Sequence, residues 1–273
     1  MRENKIMNIP EEDRLQLIEQ LEALTGKKPL FYLKFCGCEK FAKDVCDGNL
    51  YANTPAYFRE QEKKSGVRGQ GDQFELISLI ETQGITMCDA NTGEVILTAP
   101  KGTMRIQFKD DDIIPMVSFV GIPLADMKLI YADETRADFV FPFTDEEYAS
   151  MEENFGSFCV MIGGRELDQH IAAYCNSEGC DFLFDRIDYC DQNRIDRMQA
   201  FNKSAKERFL YKNKDLEYQR EYRLVFAHEI PEDHFIRIGA LSNTKVLESR
   251  QLKDMCFSIG YTSHKKTEDI GEQ

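Results

Sequence analysis

Residues 216–226 read LEYQREYRLVF. The segment opens polar, with Glu217, Gln219, Arg220, Glu221 and Arg223, and then turns apolar through Leu224, Val225 and Phe226. Residues 222–227 have the apolar and aromatic character of a strand. On a strand, side chains at i and i+2 share a face. The spacing therefore aims Gln219 and Glu221 at one spot, with Arg220 turned away and Arg223 one step further along. A carboxylate fixed at the mouth of a strand can bind a hydroxyl or stabilise a developing cation. Arg223 can hold Glu221 by an ion pair or take a phosphate with both arms. The plainer alternative is a surface Glu-x-Arg pair worth ~0–1 kcal/mol.

Outward from this strand, the 273-residue chain shows no internal repeat and no Gly/Pro/Ser linker. Leu17, Leu21 and Leu24, with Ile18 beside them, fall at helical spacing over residues 11–25, and Gly26 stops that helix. Residues 29–35 and 50–53 read as strands, and 39–46 as a short helix. The stretch YFREQEKKSGVRGQG (57–71) is polar and glycine-bearing, which predicts a loop. Strands are expected at 85–88, 95–98 and 103–108, the first two joined at Asn91-Thr92-Gly93. Asp110–Asp112 reads as a loop and 116–122 as a buried strand. Asp145-Glu146-Glu147 opens a helix. A strand at 158–162, a helix at 165–175, a strand at 185–190 and a helical piece at 196–201 follow. Residues 206–214 read as a polar connector, and 235–238 and 255–260 as closing strands.

The organisation is an N-terminal helix (1–26), one α+β domain (27–262) and a polar, frayed tail (263–273). The expected fold is a single α+β domain of short, mostly antiparallel strands with helices packed around them on one side.

The net charge of −14 argues against broad binding to nucleic acid or anionic membranes. Two local basic groups, Lys63/Lys64/Arg68 and Lys203/Lys206/Arg208, read more plainly as solvated faces. Charges interrupt residues 1–20 and no apolar run approaches ~18 residues, so neither a signal peptide nor a membrane span is expected. Nine cysteines lie scattered in apolar segments, which predicts reduced, mostly buried thiols in a cytoplasmic protein. Cys36-Gly37-Cys38 and Cys175…Cys180 lack zinc-site spacing, and no metal is expected.

A second constellation runs from Tyr57-Phe58-Arg59 through Gly66, Gly69 and Gly71 to Asp72 and Glu75. The glycines let backbone approach a ligand, but neither a phosphate-binding Gly-Lys-Ser/Thr loop nor a dinucleotide fingerprint is present. Asp72 and Glu75 can share a helical face and bind a divalent ion, or form a capping box. The four histidines, His170, His228, His234 and His264, stand at no telling distance from a nucleophile.

The blocks LYANTPAYFRE…GQGDQFE and RFLYKNKDLEYQREYRLVF resemble an uncharacterised family of bacterial and phage proteins. The matching residues are Leu50, Tyr51, Pro55, Phe58, Asp72, Glu75, Lys212, Gln219, Glu221, Tyr222, Arg223 and Leu224, over about half the chain. The late block also resembles the last signature of ADP-ribosyltransferases, in which a strand opens with Gln/Glu-x-Glu. That resemblance implies an ADP-ribosyltransferase-like fold with NAD as substrate. Glu221 would stabilise the oxocarbenium as nicotinamide leaves, and Gln219 would direct the acceptor. Lys34 in FYLKF would stand where the family has Arg or His, and Asn53-Thr54 in LYANT where it has Ser-Thr-Ser or Tyr. Tyr57, Arg59, Asp72, Glu75 and Arg223 complete the expected binding set. The leading expectation is an NAD-using enzyme that modifies a protein or nucleic acid in a phage–host or toxin setting. A non-enzymatic acidic binding protein of phage defence or counter-defence is the alternative. A metal-dependent phosphodiesterase using Asp72, Glu75 and Glu221 is the third.

Overall fold

Two apolar runs, 116–121 and 221–226, pair with each other and set the centre of the molecule. The computed structural model describes residues 10–261. Residues 1–9 and the tail after Ser263, with His264, lie outside the described residues, as do the side chains of Leu24 and Thr25.

From the N-terminus, α1 (Glu11–Thr25) leads to β1 (Phe31–Cys36), α2 (Glu39–Cys46), β2 (Asn49–Tyr51) and α3 (Pro55–Ser65). A ribbon follows: β3 (Ser78–Thr82), β4 (Ile85–Cys88), β5 (Val95–Ala99) and β6 (Gly102–Ile106). The middle of the chain holds β7 (Met116–Gly121), β8 (Lys128–Ala132), β9 (Arg136–Val140), α4 (Asp145–Phe155), β10 (Phe158–Gly163) and α5 (Gly164–Glu178). Next come β11 (Phe182–Arg186), β12 (Asp188–Tyr189), α6 (Ile195–Asn202) and β13 (Tyr211–Lys212). β14 (Glu221–Phe226), β15 (Phe235–Arg237), β16 (Thr244–Glu248) and β17 (Cys256–Gly260) close the chain.

Six strands form one antiparallel sheet in the order β11-β14-β7-β1-β10-β16. No two neighbours in it are consecutive in the chain. One face packs on α2 and α5, where Ala42, Val45, Leu167 and Ile171 meet Tyr32, Phe119 and Leu224. The other face packs on α1, α4 and a three-stranded sheet, β17-β9-β8, through Ile18, Met151, Phe139, Leu33 and Val120. Helices thus cover both faces rather than one side, because the central strands are apolar on both. The result is one mixed helix-and-strand domain, with α1 packed into it. Among the described residues no helix is long and apolar enough to cross a membrane.

Several local expectations need correction. The stretch expected as a loop from Tyr57 holds most of α3. Thr54 caps that helix by accepting from the Tyr57 N–H at 3.3 Å, Pro55 sits in its first turn, and Gly66 ends it in the left-handed region. Glu60, Gln61, Glu62, Lys63 and Lys64 are polar, but they are good helix formers. Asp72–Glu75 is not a helix start: the Asp72 carboxylate accepts from the Phe74 N–H at 2.9 Å, and Glu75 turns elsewhere. The polar connector at 206–214 is buried at its centre rather than solvated throughout. Arg208 forms a buried pair with Asp111, Phe209 joins a core cluster, and Lys212 is buried. β3, β8, β9 and β16 had no counterpart in the sequence reading.

Candidate functional site

β1 and β7 pair at only two positions, Tyr32↔Gly121 and Leu33↔Val120. Beyond them β1 stays with β10 as far as Cys36, and β7 stays with β14 as far as Met116. The two central strands therefore part, and a cleft of about 550 Å³ opens between them. That volume lies within the usual range for small-molecule sites. Asn53 spans the far end, exchanging backbone hydrogen bonds with Met116 at 3.1 and 2.8 Å. Its Oδ1 is buried without a hydrogen-bond partner. Phe35, Phe41, Tyr51, Phe58, Phe119 and Phe235 supply much of the apolar wall.

One lip is the loop carrying Gly69 and Gly71. α3 holds it: Glu62 accepts from the Gln73 backbone N–H at 2.7 Å and from its side-chain amide at 3.2 Å. A Cβ on Gly71 would lie 2.4 Å from the Glu62 nitrogen and 2.6 Å from the Phe58 carbonyl, so only glycine allows this approach.

Four charges interlock on the floor. Glu221, 3% exposed, accepts from the Ser118 hydroxyl at 2.6 Å, Arg223 Nε at 2.8 Å and Lys212 Nζ at 2.6 Å. Arg223, 1% exposed, also grips both oxygens of Glu75, at 2.7 and 3.1 Å, and the Phe209 carbonyl at 2.7 Å. Lys212 donates to Gln219 Oε1 at 3.0 Å, and the Gln219 amide donates to the Gly69 carbonyl at 3.1 Å. This is not the exposed Glu-x-Arg pair of the plainer reading. Arg223 also bridges Glu75 and Glu221, two of the three acids that a metal-dependent phosphodiesterase would need. Among the described residues no group of three or more His, Cys, Asp or Glu could hold a metal ion.

Backbone strain brackets this network. Arg220, at φ 44°, ends a 3-10 turn over Lys214–Gln219 before the strand begins, and Leu76, at φ 52°, follows Glu75. A non-glycine residue there costs roughly 1–2 kcal/mol, and such strain concentrates at functional sites. The left-handed Arg220 also means that Gln219 is not on the strand. Strand alternation places Glu221 and Arg223 on one face, whereas Gln219 reaches the same spot from the turn. Arg220 points away, toward Asp126 and the Phe143 ring.

Burial would raise the Glu221 carboxyl, but Arg223 and Lys212 overrule it and hold it well below the usual carboxylate range. Glu75 moves upward, since burial outweighs its cations. On the β1 side, Lys34 donates to the Ser118 carbonyl at 2.8 Å and forms no ion pair among the described residues. Its surroundings strip water from the ammonium and lower its pKa, against the opposing pull of Cys36 and Glu221.

Of the residues singled out in the sequence, Glu221, Gln219, Lys34, Asn53, Asp72, Glu75 and Arg223 all line the cleft. Thr54, Tyr57 and Arg59 do not. Thr54 caps α3, and Tyr57 is exposed on it. Arg59 is buried behind the wall, donating to the Glu75 carbonyl at 2.9 Å and pairing with Asp112. Two donors to Glu221, Ser118 and Lys212, were missing from the expected set. Ser118 could have been suspected as the one polar residue in MVSFVG, and Lys212 as a member of the late block. Compared with protein-family models, curated proteins and solved structures, the chain matches none.

Proposed function

We propose that the chain is an ADP-ribosyltransferase-like enzyme that consumes NAD and passes ADP-ribose to a macromolecule, in a cytoplasmic phage–host or toxin setting. The observation carrying this reading is Glu221: a carboxylate fixed by three donors, two of them cations, at the floor of a nucleotide-sized cleft. A carboxylate offers about four acceptor sites, so roughly one remains for a ribose hydroxyl. As the bond from ribose C1′ to the nicotinamide nitrogen breaks, its electron pair leaves with nicotinamide. The positive charge then developing on the ribose would be stabilised by Glu221. Lys34, a cation without an acid partner, suits a phosphate, and the free Asn53 Oδ1 suits an amide donor. An acceptor nucleophile, oriented by Gln219, would attack C1′, and its proton would pass to solvent.

The test is a thermal-shift titration with NAD together with an assay for released nicotinamide. Wild type at about 100 times its dissociation constant gains ~2.7 kcal/mol, and Glu221→Gln lowers nicotinamide release by ~100-fold or more. No shift at millimolar NAD, or an unchanged rate in a folded Glu221→Gln, overturns the proposal. One observation favours a second reading, a non-enzymatic binding protein. The four floor charges, Glu221, Arg223, Glu75 and Lys212, already satisfy one another, so the floor is electrostatically complete without a ligand. That reading predicts no NAD response and a partner complex indifferent to Glu221→Gln.

A further inference from the structure

Alternation divides the short β2–β15 pair into two unlike faces. Leu50 and Ile236, opposite each other, are fully buried. Asn49 and Tyr51, with Phe235 opposite Tyr51, lie on the other face and line the mouth of the cleft. Phe41 and Asp44, one turn apart on α2, line it too. Tyr51 is 49% exposed and Phe41 55%. Neither ring is needed to fill the core, and both are left open toward the cavity.

The Tyr51 ring is fixed in place. The His234 ring stacks on one side of it, with centroids 5.5 Å apart and planes at 15°, and Phe235 meets it edge-on at 5.3 Å. His234 does this from the left-handed region, at φ 63°, with its Nδ1 3.1 Å from the Ala52 carbonyl. Strain of this kind in a non-glycine residue concentrates at functional sites. The turn from α2 into β2 is pinned as well. Gly48, at φ 77°, accepts from the Ile238 N–H at 2.9 Å, and a Cβ there would lie 1.9 Å from the Gly239 carbonyl oxygen. Helix and strand therefore present Asp44, Asn49 and Tyr51 as one rigid unit.

The side chains of Asp44 and Asn49 make no hydrogen bond or ion pair among the described residues. Stacking on an aromatic ring accepts any base, so the polar edge decides which one. A carboxylate only accepts, and a ring bound beside Asp44 must donate to it. Guanine donates twice, from N1 and from its 2-amino group, and its O6 accepts from an amide such as that of Asn49. Adenine has one amino group beside a bare ring nitrogen, which would face the second carboxylate oxygen. We propose that the mouth of the cleft is a binding subsite for a guanine nucleoside or mononucleotide, its base stacked on Tyr51 and its N1 and 2-amino edge held by Asp44. The subsite is separate from the NAD of the proposed reaction and stands without it. The net charge of −14 favours a small ligand over a strand of nucleic acid.

The test is calorimetric titration of the full chain with guanosine, GMP, adenosine and xanthosine, in the absence of NAD. Guanosine and GMP bind, and adenosine binds ~10-fold more weakly or worse. Tyr51→Ala weakens guanosine by ~10-fold or more. Asp44→Asn exchanges the preference. Guanosine loses ~10-fold or more, and xanthosine gains, because an amide accepts from the xanthine N1–H and donates to its O2. A gain of binding cannot come from misfolding. No guanosine binding at millimolar concentration overturns the proposal. So does adenosine bound as tightly as guanosine, or an order of preference unchanged in Asp44→Asn. Binding of a guanine-bearing oligonucleotide without binding of GMP overturns it too. With NAD absent from the titration, a failure here is distinct from a failure of the transferase reading.

Discussion

Replacing Arg223 with methionine removes the guanidinium but keeps much of its volume. Four hydrogen bonds go with it: two to Glu75, one to Glu221 and one to the Phe209 carbonyl. Glu221 retains Ser118 and Lys212, whereas Glu75 loses both donors to its carboxylate. Breaking a buried pair by removing one partner costs about 3–5 kcal/mol. With ~4 kcal/mol expected and roughly 2–3 °C per kcal/mol at this chain size, Tm falls by about 8–12 °C. The pH dependence gives the sharper test. Stripped of its cation, the Glu75 carboxyl rises further above its ordinary value. A group raised in the folded state contributes fully below its unfolded pKa, and that contribution is lost as pH rises through the folded value. The gap between variant and wild type therefore widens from pH 5 to pH 8, as read by urea unfolding. Adding Glu75→Gln recovers most of the loss, because a neutral amide leaves no charge stranded. A loss below ~1 kcal/mol, or one equal at both pH values, would show that water reaches these carboxylates and would refute the buried-network account.

Three further outcomes follow from individual contacts. Gly71→Ala drives a Cβ into α3 backbone at 2.4 Å, so stability drops by ~2 kcal/mol or more, read by thermal shift. Lys34→Met raises stability at pH 7 by roughly 1 kcal/mol, since it removes a poorly hydrated charge with no acid partner. The folded state holds that proton less tightly than the unfolded one, so the gain shrinks as pH climbs toward 10, and denaturant titrations at two pH values check it. Thr54→Ala removes the α3 cap and costs about 1 kcal/mol, measurable as a small drop in urea midpoint without a change in slope.

β7 and β14 were legible in the sequence because buried strands carry dense apolar runs, and the hairpin turn was legible from Asn91-Thr92-Gly93. α3 was not, because its residues look like a solvated loop even though they favour a helix, and composition alone does not separate the two. The site was legible as a set of residues rather than as an arrangement. Glu221 with Arg223 follows from strand alternation. Glu75, by contrast, meets Arg223 from 148 residues away, a juxtaposition that no local pattern encodes. Gln219 was placed correctly for the wrong reason: a left-handed Arg220, not strand periodicity, turns it inward. The cleft arises from how two strands part, and strand propensity says nothing about which edges remain unpaired.

The order of the central sheet has a consequence for synthesis. Lys34 meets Ser118 across 84 residues, and Ser118 meets Glu221 across a further 103. At ~5–20 residues per second, β16 leaves the ribosome roughly 10–40 s after β1. Until β10 emerges β1 keeps a bare edge, until β14 emerges so does β7, and until β16 emerges so does β10, each open to pairing with other nascent chains. The ribbon, built from local contacts around one turn, closes within microseconds of emerging. The yield of folded protein is therefore set by how well the cell shields the first strands, and slower, cooler expression should favour it.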